Sequence, residues 1–338
     1  MAKSVDILRE NLLEHPAVQA WSATEPKHVE PTSVAVLKKW KHDQKSGVYR
    51  LAGVGPAGSA VIAKRCPLHT AAAERLIYEE FLPRLALPSL RYYGSVADLD
   101  GQSGWLFLEE ASGELYSPLN PEHRALAGRW LATLHTFGCR HHWNGRLPDR
   151  GPAQHLQMLQ MCRGKVLEHL SNPSLTPDGA ALLQTVSQQC EVLEKHWPEL
   201  EALCAEVSRT LIHGDFVIRN LRVRPSAGGP ELLVYDWEFA GWGAPFSDLA
   251  QFTGRMASPD LAVYRSCLED WSMIRDGAQV ERWADCGRFF RLVDIMYWTS
   301  RRLLDGPPKF LVVPLLEFAI YSQRMAGALS AARWLNHD

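Results

Sequence analysis

The sequence predicts an α+β protein in two lobes, a small one built on a β-sheet and a larger, mainly helical one. Between 33 and 111 short apolar runs alternate with turn residues, which is typical of β-strands. From about Ser112 onward, apolar residues recur at helical spacing over long segments. The chain has 338 residues, which is enough for two such parts.

Composition and charge exclude several classes of protein. With 46% hydrophobic and 22% charged residues the chain is ordinary for a globular protein, and its net charge of -2 predicts no binding to nucleic acid. The seven cysteines are odd in number and form no Cys-x-x-Cys pair, which favours reduced thiols in a cytoplasmic protein. Charged residues interrupt the apolar start of the chain, so we expect no signal peptide, and no apolar run is long enough to span a membrane.

The first 32 residues are predicted to precede the sheet, as a short amphipathic helix at 5–14 and a polar connector. A single helix is predicted at 70–85. Apolar runs bounded by turns predict the strands, at 34–41, 47–52, 59–66, 95–96 and 104–109.

The most informative stretch runs from 209 to 248, where two apolar runs each lead into an aspartate. The first run ends in His213-Gly-Asp215, and the second ends at Asp236 after a short strand–turn–strand pattern. Because a hairpin folds back on itself, Asn220 before it and Asp236 after it are expected to lie close together. We therefore expect these four side chains to converge on one site.

This set of groups suits phosphoryl transfer from ATP, which needs positioning and charge compensation more than covalent help from the protein. Asp215 would orient an incoming hydroxyl and accept its proton. Mg²⁺ is a hard cation that prefers oxygen ligands, and the amide oxygen of Asn220 and the carboxylate of Asp236 fit that preference.

The pattern His-Gly-Asp, four residues, Asn, and then an Asp after an apolar strand resembles the aminoglycoside phosphotransferase and choline kinase superfamily. The resemblance implies a bilobal protein-kinase-like fold, with a five-stranded antiparallel sheet in the first lobe, and the use of ATP and Mg²⁺. In the catalytic loop, 211–223, it implies His213 as scaffold and Asp215 as catalytic base. It implies Asn220 and Asp236 as magnesium ligands.

The same resemblance singles out two further acidic residues. The Asp-Phe-Gly of protein kinases is replaced by a metal-binding segment at 236–238, so Glu238 is expected as a second ligand on the metal side. The segment Asp-Leu-Ala that begins at Asp248 is structural in the family. Protein kinases also place a lysine two residues after the base, and Val217 at that position favours a small-molecule kinase.

In the first lobe, Lys64 at the end of an apolar strand resembles the lysine that pairs the ATP phosphates. An ion pair with Glu74, in the helix at 70–85, is expected to hold its amine in place. Glu79 is the rival partner, since it lies five residues further along and projects differently from the helix.

Two more segments are assigned to nucleotide binding by the resemblance. The loop at 42–47 would cover the phosphates with its backbone N–H groups, assisted by Lys45 and Ser46. The hinge between the lobes would bond the adenine through its backbone rather than its side chains. Its residues are Glu109, Glu110 and Ala111.

The second lobe is predicted to be a bundle of helices at 121–139, 152–171, 177–208 (with a break at Pro198 as an alternative), 259–275, 279–304 and 310–335. Aromatic residues at helical spacing more often form core than a binding site. The resemblance nevertheless puts the acceptor near the last helices. The candidate contacts are Trp237, Trp242, Asp294, Tyr297, Trp298 and Arg301.

The predicted organisation is an N-terminal segment at 1–32, a nucleotide-binding lobe at 33–111 and a helical lobe at 112–338. The predicted activity is transfer of the γ-phosphoryl group of ATP to a hydroxyl of a small molecule resembling an aminoglycoside, a sugar, a nucleoside or an amino alcohol. The second lobe has only a slight acidic excess, so a polycationic acceptor, and with it antibiotic resistance, stays one option among these. Two alternatives remain: a non-catalytic nucleotide-binding pseudokinase, and a metal-dependent phosphohydrolase that would not need Lys64.

Overall fold

A computed structural model describes residues 5–24, 29–39, 46–141, 145–251, 255–268 and 277–332. Residue contacts divide the chain into two compact units. The first unit comprises Met1–Tyr116 together with Ile218–Ala240, and the second comprises Ser117–Val217 together with Gly241–Asp338. This differs from the predicted organisation, because the hairpin after the His-Gly-Asp motif groups with the first part of the chain.

The described residues form eleven strands and ten α-helices, named here in chain order. The strands are β1 (Asp6–Leu8), β2 (Ser33–Lys38), β3 (Gly47–Ala52), β4 (Val61–Pro67), β5 (Tyr92–Ala97), β6 (Ser103–Glu109), β7 (Glu114–Leu115), β8 (Thr210–Ile212), β9 (Leu221–Ser226), β10 (Gly229–Val234) and β11 (Gly241–Gly243). The helices are α1 (Pro16–Ser22), α2 (Leu68–Leu76), α3 (Pro121–Arg140), α4 (Pro152–His169), α5 (Pro177–Lys195), α6 (Trp197–Ala205), α7 (Phe246–Leu249), α8 (Leu261–Ser266), α9 (Gly277–Ser300) and α10 (Lys309–Ala331).

The first unit is built on an antiparallel sheet, as the sequence predicts. The described residues give this sheet six strands in the order β1-β2-β3-β4-β6-β5. Five of them correspond to the predicted strands. One face packs on an apolar cluster that includes Trp21, Val61, Trp105 and Phe107. Burying such side chains stabilises the fold by about 1.5–3 kcal/mol each.

The prediction of a helix at 5–14 is wrong. Residues Asp6–Leu8 form β1, in which Asp6 pairs with Val36 of β2. Asn11 has a φ of 52°, a left-handed conformation that asparagine tolerates but that a helix cannot continue through. The helix lies instead at α1, where Pro16 begins it and the His15 side chain accepts a hydrogen bond from the Ala17 N–H at 3.2 Å.

The helix predicted at 70–85 is present but changes its winding. After α2 the chain continues as a π-helical turn at Ile77–Phe81 and a 3₁₀ turn at Leu82–Arg84. The wider π-helical turn shifts the side chains that follow it relative to those of α2. Tyr78 in this turn stacks on Tyr92 of β5 with the ring centroids 5.7 Å apart.

The hairpin predicted between Asn220 and Asp236 is confirmed. Strands β9 and β10 pair antiparallel, with Leu221 opposite Val234, and β7 adds a third strand. Because β7 directly follows β6 in the chain and pairs with β9, the hairpin belongs to the first unit. An ion pair between Arg224 and Glu109, 3.5 Å apart, reinforces this connection.

The second unit is a helical bundle, as predicted, with one small two-stranded sheet of β8 and β11. Its central helix is α9, which packs against α4, α7 and α10. A Cβ at Gly287 would overlap the carbonyl oxygen of Phe246, so this glycine allows α9 to approach the backbone of α7 closely. The helices in the described part of the chain include none that is long and apolar enough to cross a membrane.

Candidate functional site

The first unit contains a cavity of about 660 Å³ beside the sheet. One part of its wall is apolar and consists of Leu37, Val48, Ile62, Leu90, Leu108 and Ala111. The other part carries charged and amide side chains, including Lys64, Glu74, Asn220, Asp236 and Glu238. The cavity can therefore take a ligand with one flat apolar end and one strongly charged end.

Lys64 is the cation at the charged end of the cavity. It lies on β4 opposite Leu106 of β6, and only 6% of it is exposed. Its Nζ donates to Glu74 Oε1 at 2.5 Å and to Asp236 Oδ1. Burial by itself would lower the pKa of Lys64, but the charges of Asp236 and Glu74 outweigh that effect and raise it well above its ordinary value. The amine is therefore held as a buried ammonium.

The structure decides between the two predicted partners of Lys64 in favour of Glu74. Glu74 projects from α2 and is fully buried. Desolvation by burial raises the pKa of Glu74 to about 7, although the Lys64 ammonium opposes this. Glu79 instead accepts a hydrogen bond from the Tyr92 hydroxyl at 3.2 Å and lies 3.7 Å from Arg75.

The hairpin brings Asn220 and Asp236 to the cavity wall, as the sequence predicts for this pair. The Tyr235 N–H donates to the Asn220 carbonyl at 3.1 Å, which fixes the two ends of the hairpin together. Asp236 has a φ of 68°, a strained backbone conformation that aspartate adopts more readily than most residues. Glu238 follows with its carboxylate 3.9 Å from Lys64 Nζ.

The predicted hinge residues also line the cavity. The Glu110 carboxylate is bound by Arg50 at 2.7 Å, and the Glu109 carboxylate accepts from the Arg91 N–H at 3.0 Å. The two carboxylates are thus engaged by protein groups, and the role of this segment as an adenine-binding hinge stays a prediction. The Glu109 N–H already donates to the Arg91 carbonyl at 2.8 Å. The backbone of Glu110 and Ala111 is therefore the better candidate for hydrogen bonding to a ligand.

Only one end of the predicted phosphate-covering loop can be compared with the structure. Ser46 lines the cavity and accepts a hydrogen bond from Lys38 Nζ at 2.8 Å. Lys45 lies outside the described residues. The role of this loop in binding phosphates therefore stays a prediction.

The His-Gly-Asp motif belongs to the second unit, where Asp248 of α7 holds its backbone. The Asp248 carboxylate accepts from the N–H groups of His213 and Gly214 at 2.7 and 2.8 Å. Gly214 has a φ of 75°, a conformation that would strain any residue with a side chain. His213 is fully buried, and its Nδ1 accepts from the Asp215 N–H at 3.2 Å. The expected scaffold roles of His213 and Asp248 stay predictions.

Asp248 remains charged although it is fully buried. Desolvation would raise its pKa, but the hydrogen bond and charge of His135, 3.3 Å away, together with His213, lower the pKa below its ordinary value. His135 in turn contacts the Tyr264 hydroxyl at 2.9 Å. The backbone of the motif therefore rests on a buried carboxylate that has its own partners.

Sequence reasoning missed Arg291 of α9, which binds the predicted catalytic base. Its Nη2 donates to Asp215 Oδ1 at 2.5 Å, and its Nη1 donates to the Gly214 carbonyl. Nη1 also lies 3.1 Å from the carboxylate of Asp294. The only local signal was the spacing of Arg291 and Asp294, three residues apart on one helix, which allows an ion pair but does not indicate a link to Asp215.

The predicted acceptor contacts fall into two groups. Trp237 is fully buried in the first unit and presents no surface to a ligand in this structure. Trp242 lies in β11 of the second unit and is only 7% exposed. Asp294, Tyr297 and Trp298 lie in the last two turns of α9, and Arg301 directly follows the helix. Asp294 pairs with Arg291, and the Arg301 guanidinium lies 5.1 Å from the Trp298 ring, beside Tyr297. A role in binding an acceptor stays a prediction for all of them.

The described residues contain no group of three or more His, Cys, Asp or Glu side chains arranged to hold a metal ion by themselves. Magnesium bound with a nucleotide does not need such a cage, since it typically uses one or two carboxylates together with phosphate oxygens. All seven cysteines lie within the described residues and are free thiols.

The profile of the Phosphotransferase enzyme family, APH, matches residues 41–285. The match covers well over half of the chain and includes most of the residues that line the cavity, the hairpin and the His-Gly-Asp motif. The chain belongs to this family of phosphotransferases. The family resemblance predicted from the sequence is thereby confirmed.

Solved structures of similar fold agree with this assignment. One is the GDP and kanamycin complex of the phosphotransferase APH(2")-IIia, with a TM-score of 0.60 and 12% identity over 93% of this chain and 98% of that one. A spectinomycin phosphotransferase, APH(9)-Ia, in complex with ADP and spectinomycin has a TM-score of 0.59 and 12% identity over 89% and 95% of the two chains. A choline kinase from Cryptosporidium parvum has a TM-score of 0.52 and 12% identity over 89% and 93%.

At these identities the similarity shows the fold alone. The predicted protein-kinase-like fold is confirmed, with its antiparallel sheet and its helical part. No curated protein sequence matches this chain closely enough to add to the comparison.

Proposed function

We propose that this protein transfers the γ-phosphoryl group of ATP to a hydroxyl group of a small molecule, with Asp215 as the catalytic base. The observation that carries the proposal is the buried ammonium of Lys64 at the charged end of a cavity whose other wall is apolar. A nucleoside triphosphate has the matching shape and charge, with a flat base at one end and phosphates at the other.

In this proposal the apolar wall takes the purine and the backbone at Glu110 and Ala111 bonds its edge. Lys64 meets the phosphates. Its ammonium contacts two carboxylates in the structure and can exchange one of them, Asp236, for a phosphate oxygen while Glu74 keeps it in place. A lysine suits this exchange because it is a point charge on a flexible stem.

The residues around Lys64 also fit a divalent cation. The carboxylates of Asp236 and Glu238 and the carboxyl group of Glu74 face one ammonium, so the cluster has an excess of negative charge. Oε2 of Glu74 is buried and has no hydrogen-bond partner among the described residues. We propose that Asp236, Asn220 and Glu238 hold Mg²⁺, which when bound would neutralise charge on the phosphates.

Asp215 is proposed to orient the acceptor hydroxyl and to receive its proton. The acceptor oxygen forms a bond to the γ-phosphorus, the bond from that phosphorus to the β–γ bridging oxygen breaks, and ADP leaves. The backbone frame on Asp248 supports this role by fixing the turn that carries Asp215. The predicted approach of Asp215 to Asn220 and Asp236 belongs to this proposal.

We propose a small polar alcohol as the acceptor and the cytoplasm as the place of reaction. Proteins of the same fold bind kanamycin or spectinomycin, and one is named for choline, so aminoglycosides and amino alcohols head the acceptor classes to test. Free thiols agree with a reducing compartment.

The test is a screen of hydroxylated small molecules with ATP or GTP and Mg²⁺, read by mass spectrometry for the gain of one phosphate. We expect an acceptor-dependent product that disappears with EDTA. Asp215→Asn should lower turnover about 10²- to 10⁴-fold while nucleotide binding, measured by thermal shift, is kept. Nucleotide binding without turnover by the wild type would indicate a pseudokinase. Phosphate release that needs no acceptor and survives Lys64→Ala would indicate a phosphohydrolase.

A further inference from the structure

We propose that Arg291 is a positioning residue for Asp215, fixing the orientation of the carboxylate that receives the proton of the acceptor. The inference rests on the proposed function, because it takes Asp215 as the base. It concerns only residues of the second unit.

Arg291 contacts Asp215 and the residue before it through two different nitrogens of its guanidinium group. Nη2 of Arg291 donates to Oδ1 of Asp215 at 2.5 Å, while Nη1 donates to the carbonyl of the preceding residue, Gly214. Two nitrogens of one rigid plane thus hold both the side chain and the backbone of the turn. Because the backbone contact fixes the guanidinium plane, the Asp215 carboxylate cannot rotate away without breaking its contact with Nη2.

Burial distinguishes this ion pair from one on the surface. Arg291 and Asp215 are each only 4% exposed. Exposed ion pairs contribute little and are mobile, whereas a buried charge needs a compensating partner. Burial alone would lower the pKa of Arg291, but the charges of Asp215 and Asp294 raise it, so the guanidinium stays charged.

Arg291 is itself held by a chain of contacts that runs back to α4. The carboxylate of Asp294 lies 3.1 Å from Nη1, and its other oxygen lies 3.6 Å from Nε2 of His155. The opposite nitrogen of the His155 ring contacts the Gly151 carbonyl at 3.0 Å, and the ring stacks on Phe290. Each member is fixed by the next, so the position of the Asp215 carboxylate is set by the packing of the bundle.

This arrangement predicts a selective defect when Arg291 is replaced. The carboxylate would lose its orientation and the proton transfer would slow, so kcat should fall. The cavity that is proposed to bind the nucleotide is lined by residues of the first unit, so the KM for ATP should stay within about twofold of wild type.

The experiment compares Arg291→Gln, Arg291→Lys and the matched control Arg288→Gln in the full chain, with the acceptor found in the screen. Arg288 lies on the same helix and pairs with Asp285 at 2.9 Å, away from the motif. We expect Arg291→Gln to lower kcat about 10²-fold. Arg291→Lys should recover part of this loss, since it restores the charge but not the fork, and Arg288→Gln should behave as wild type.

A double variant separates positioning from a structural role. If Arg291 acts through Asp215, adding Arg291→Gln to Asp215→Asn should cause no further loss of kcat. The double variant also removes both buried charges, so it and Arg291→Lys decide the matter if Arg291→Gln does not fold. Wild-type kcat in folded Arg291→Gln or Arg291→Lys, or a further 10²-fold loss in the double variant, would overturn the proposal. Full activity of Asp215→Asn would instead overturn the assignment of the base.

Discussion

In the described part of the chain, each unit buries one Lys or Arg side chain among carboxylates, but the two cations differ in kind. Lys64 contacts Glu74 and Asp236 at the end of a cavity of about 660 Å³. Two nitrogens of Arg291 donate hydrogen bonds, one to the Asp215 carboxylate and one to the Gly214 carbonyl. A point charge can exchange a carboxylate for a phosphate, whereas a planar fork fixes the orientation of the group that it binds. In the proposed function, Lys64 of the first unit therefore contacts a ligand, whereas Arg291 of the second unit holds a protein group in place.

The largest effect that the comparison predicts is for Lys64→Met. Removing the ammonium leaves buried carboxylates uncompensated, so the free energy of unfolding should fall by about 3 kcal/mol in urea titrations. ATP turnover should fall about 10²- to 10³-fold, as when one preorganised charge is removed from a phosphoryl-transfer site.

The matched control is Lys38→Met. Lys38 lines the same cavity but is exposed and donates to Ser46, so its loss should change stability by less than about 0.5 kcal/mol. If Lys64→Met and Lys38→Met gave the same turnover and stability, Lys64 would not be the cation that contacts the ligand.

The next effect concerns the frame beneath Asp215 and is predicted for Asp248→Asn. An amide of the same shape offers a nitrogen where the carboxylate accepts from His213 and Gly214, which should cost about 2 kcal/mol of stability at pH 7. Because the folded state lowers the pKa of Asp248, its contribution is present above the ordinary value of 3.8 and is lost as pH falls through the lower folded value.

Urea unfolding of wild type and Asp248→Asn should therefore differ at pH 7 and converge in acid. Asp260→Asn is the control, since Asp260 caps α8 by accepting from the Val263 N–H at 3.0 Å and asparagine caps helices equally well. A difference between wild type and Asp248→Asn that persists unchanged below pH 3 would contradict the electrostatic account of the frame.

The last prediction concerns the pH dependence of the stability that Glu74 confers. Burial raises the pKa of Glu74 from 4.5 to about 7, so between these values the folded state holds a proton that the unfolded state has lost. Stability therefore falls as pH rises through this window, and the wild type should lose stability relative to Glu74→Gln. Glu79→Gln, at a partly exposed carboxylate, should change stability by less than about 0.5 kcal/mol. A pH-independent difference between wild type and Glu74→Gln would contradict this prediction.

Much of the fold could be predicted from local pattern. Strands β2 to β6, the β9–β10 hairpin, and helices α3 to α6 and α8 to α10 lie within or near the segments that alternation and helical spacing predicted, because such periodicity is encoded within a few neighbouring residues. The failure at 5–14 has the opposite cause. The apolar residues of β1 remain exposed, and what makes the segment a strand is pairing with β2, almost thirty residues away.

The contacts of the candidate site likewise divide into those that the sequence could predict and those that it could not. The proximity of Asn220 and Asp236 was predictable, because a turn between two short strands brings these two residues together without help from the rest of the chain. The sequence favoured Glu74 over Glu79 as the partner of Lys64, but both lie in one helical segment, so only their burial and contacts in the folded structure decide between them. The contact of Arg291 with Asp215 could not be predicted, because the two residues are 76 positions apart and only the packing of α9 brings them together.

By itself, the sequence determined most of the strands and helices, the family, and the groups available for phosphoryl transfer. Only the tertiary structure decided which carboxylate pairs with Lys64 and which cation holds Asp215. The physical reason is that periodicity and hairpin turns act between neighbours along the chain. The partner of a buried charge is instead set by which groups the folded core removes from water together.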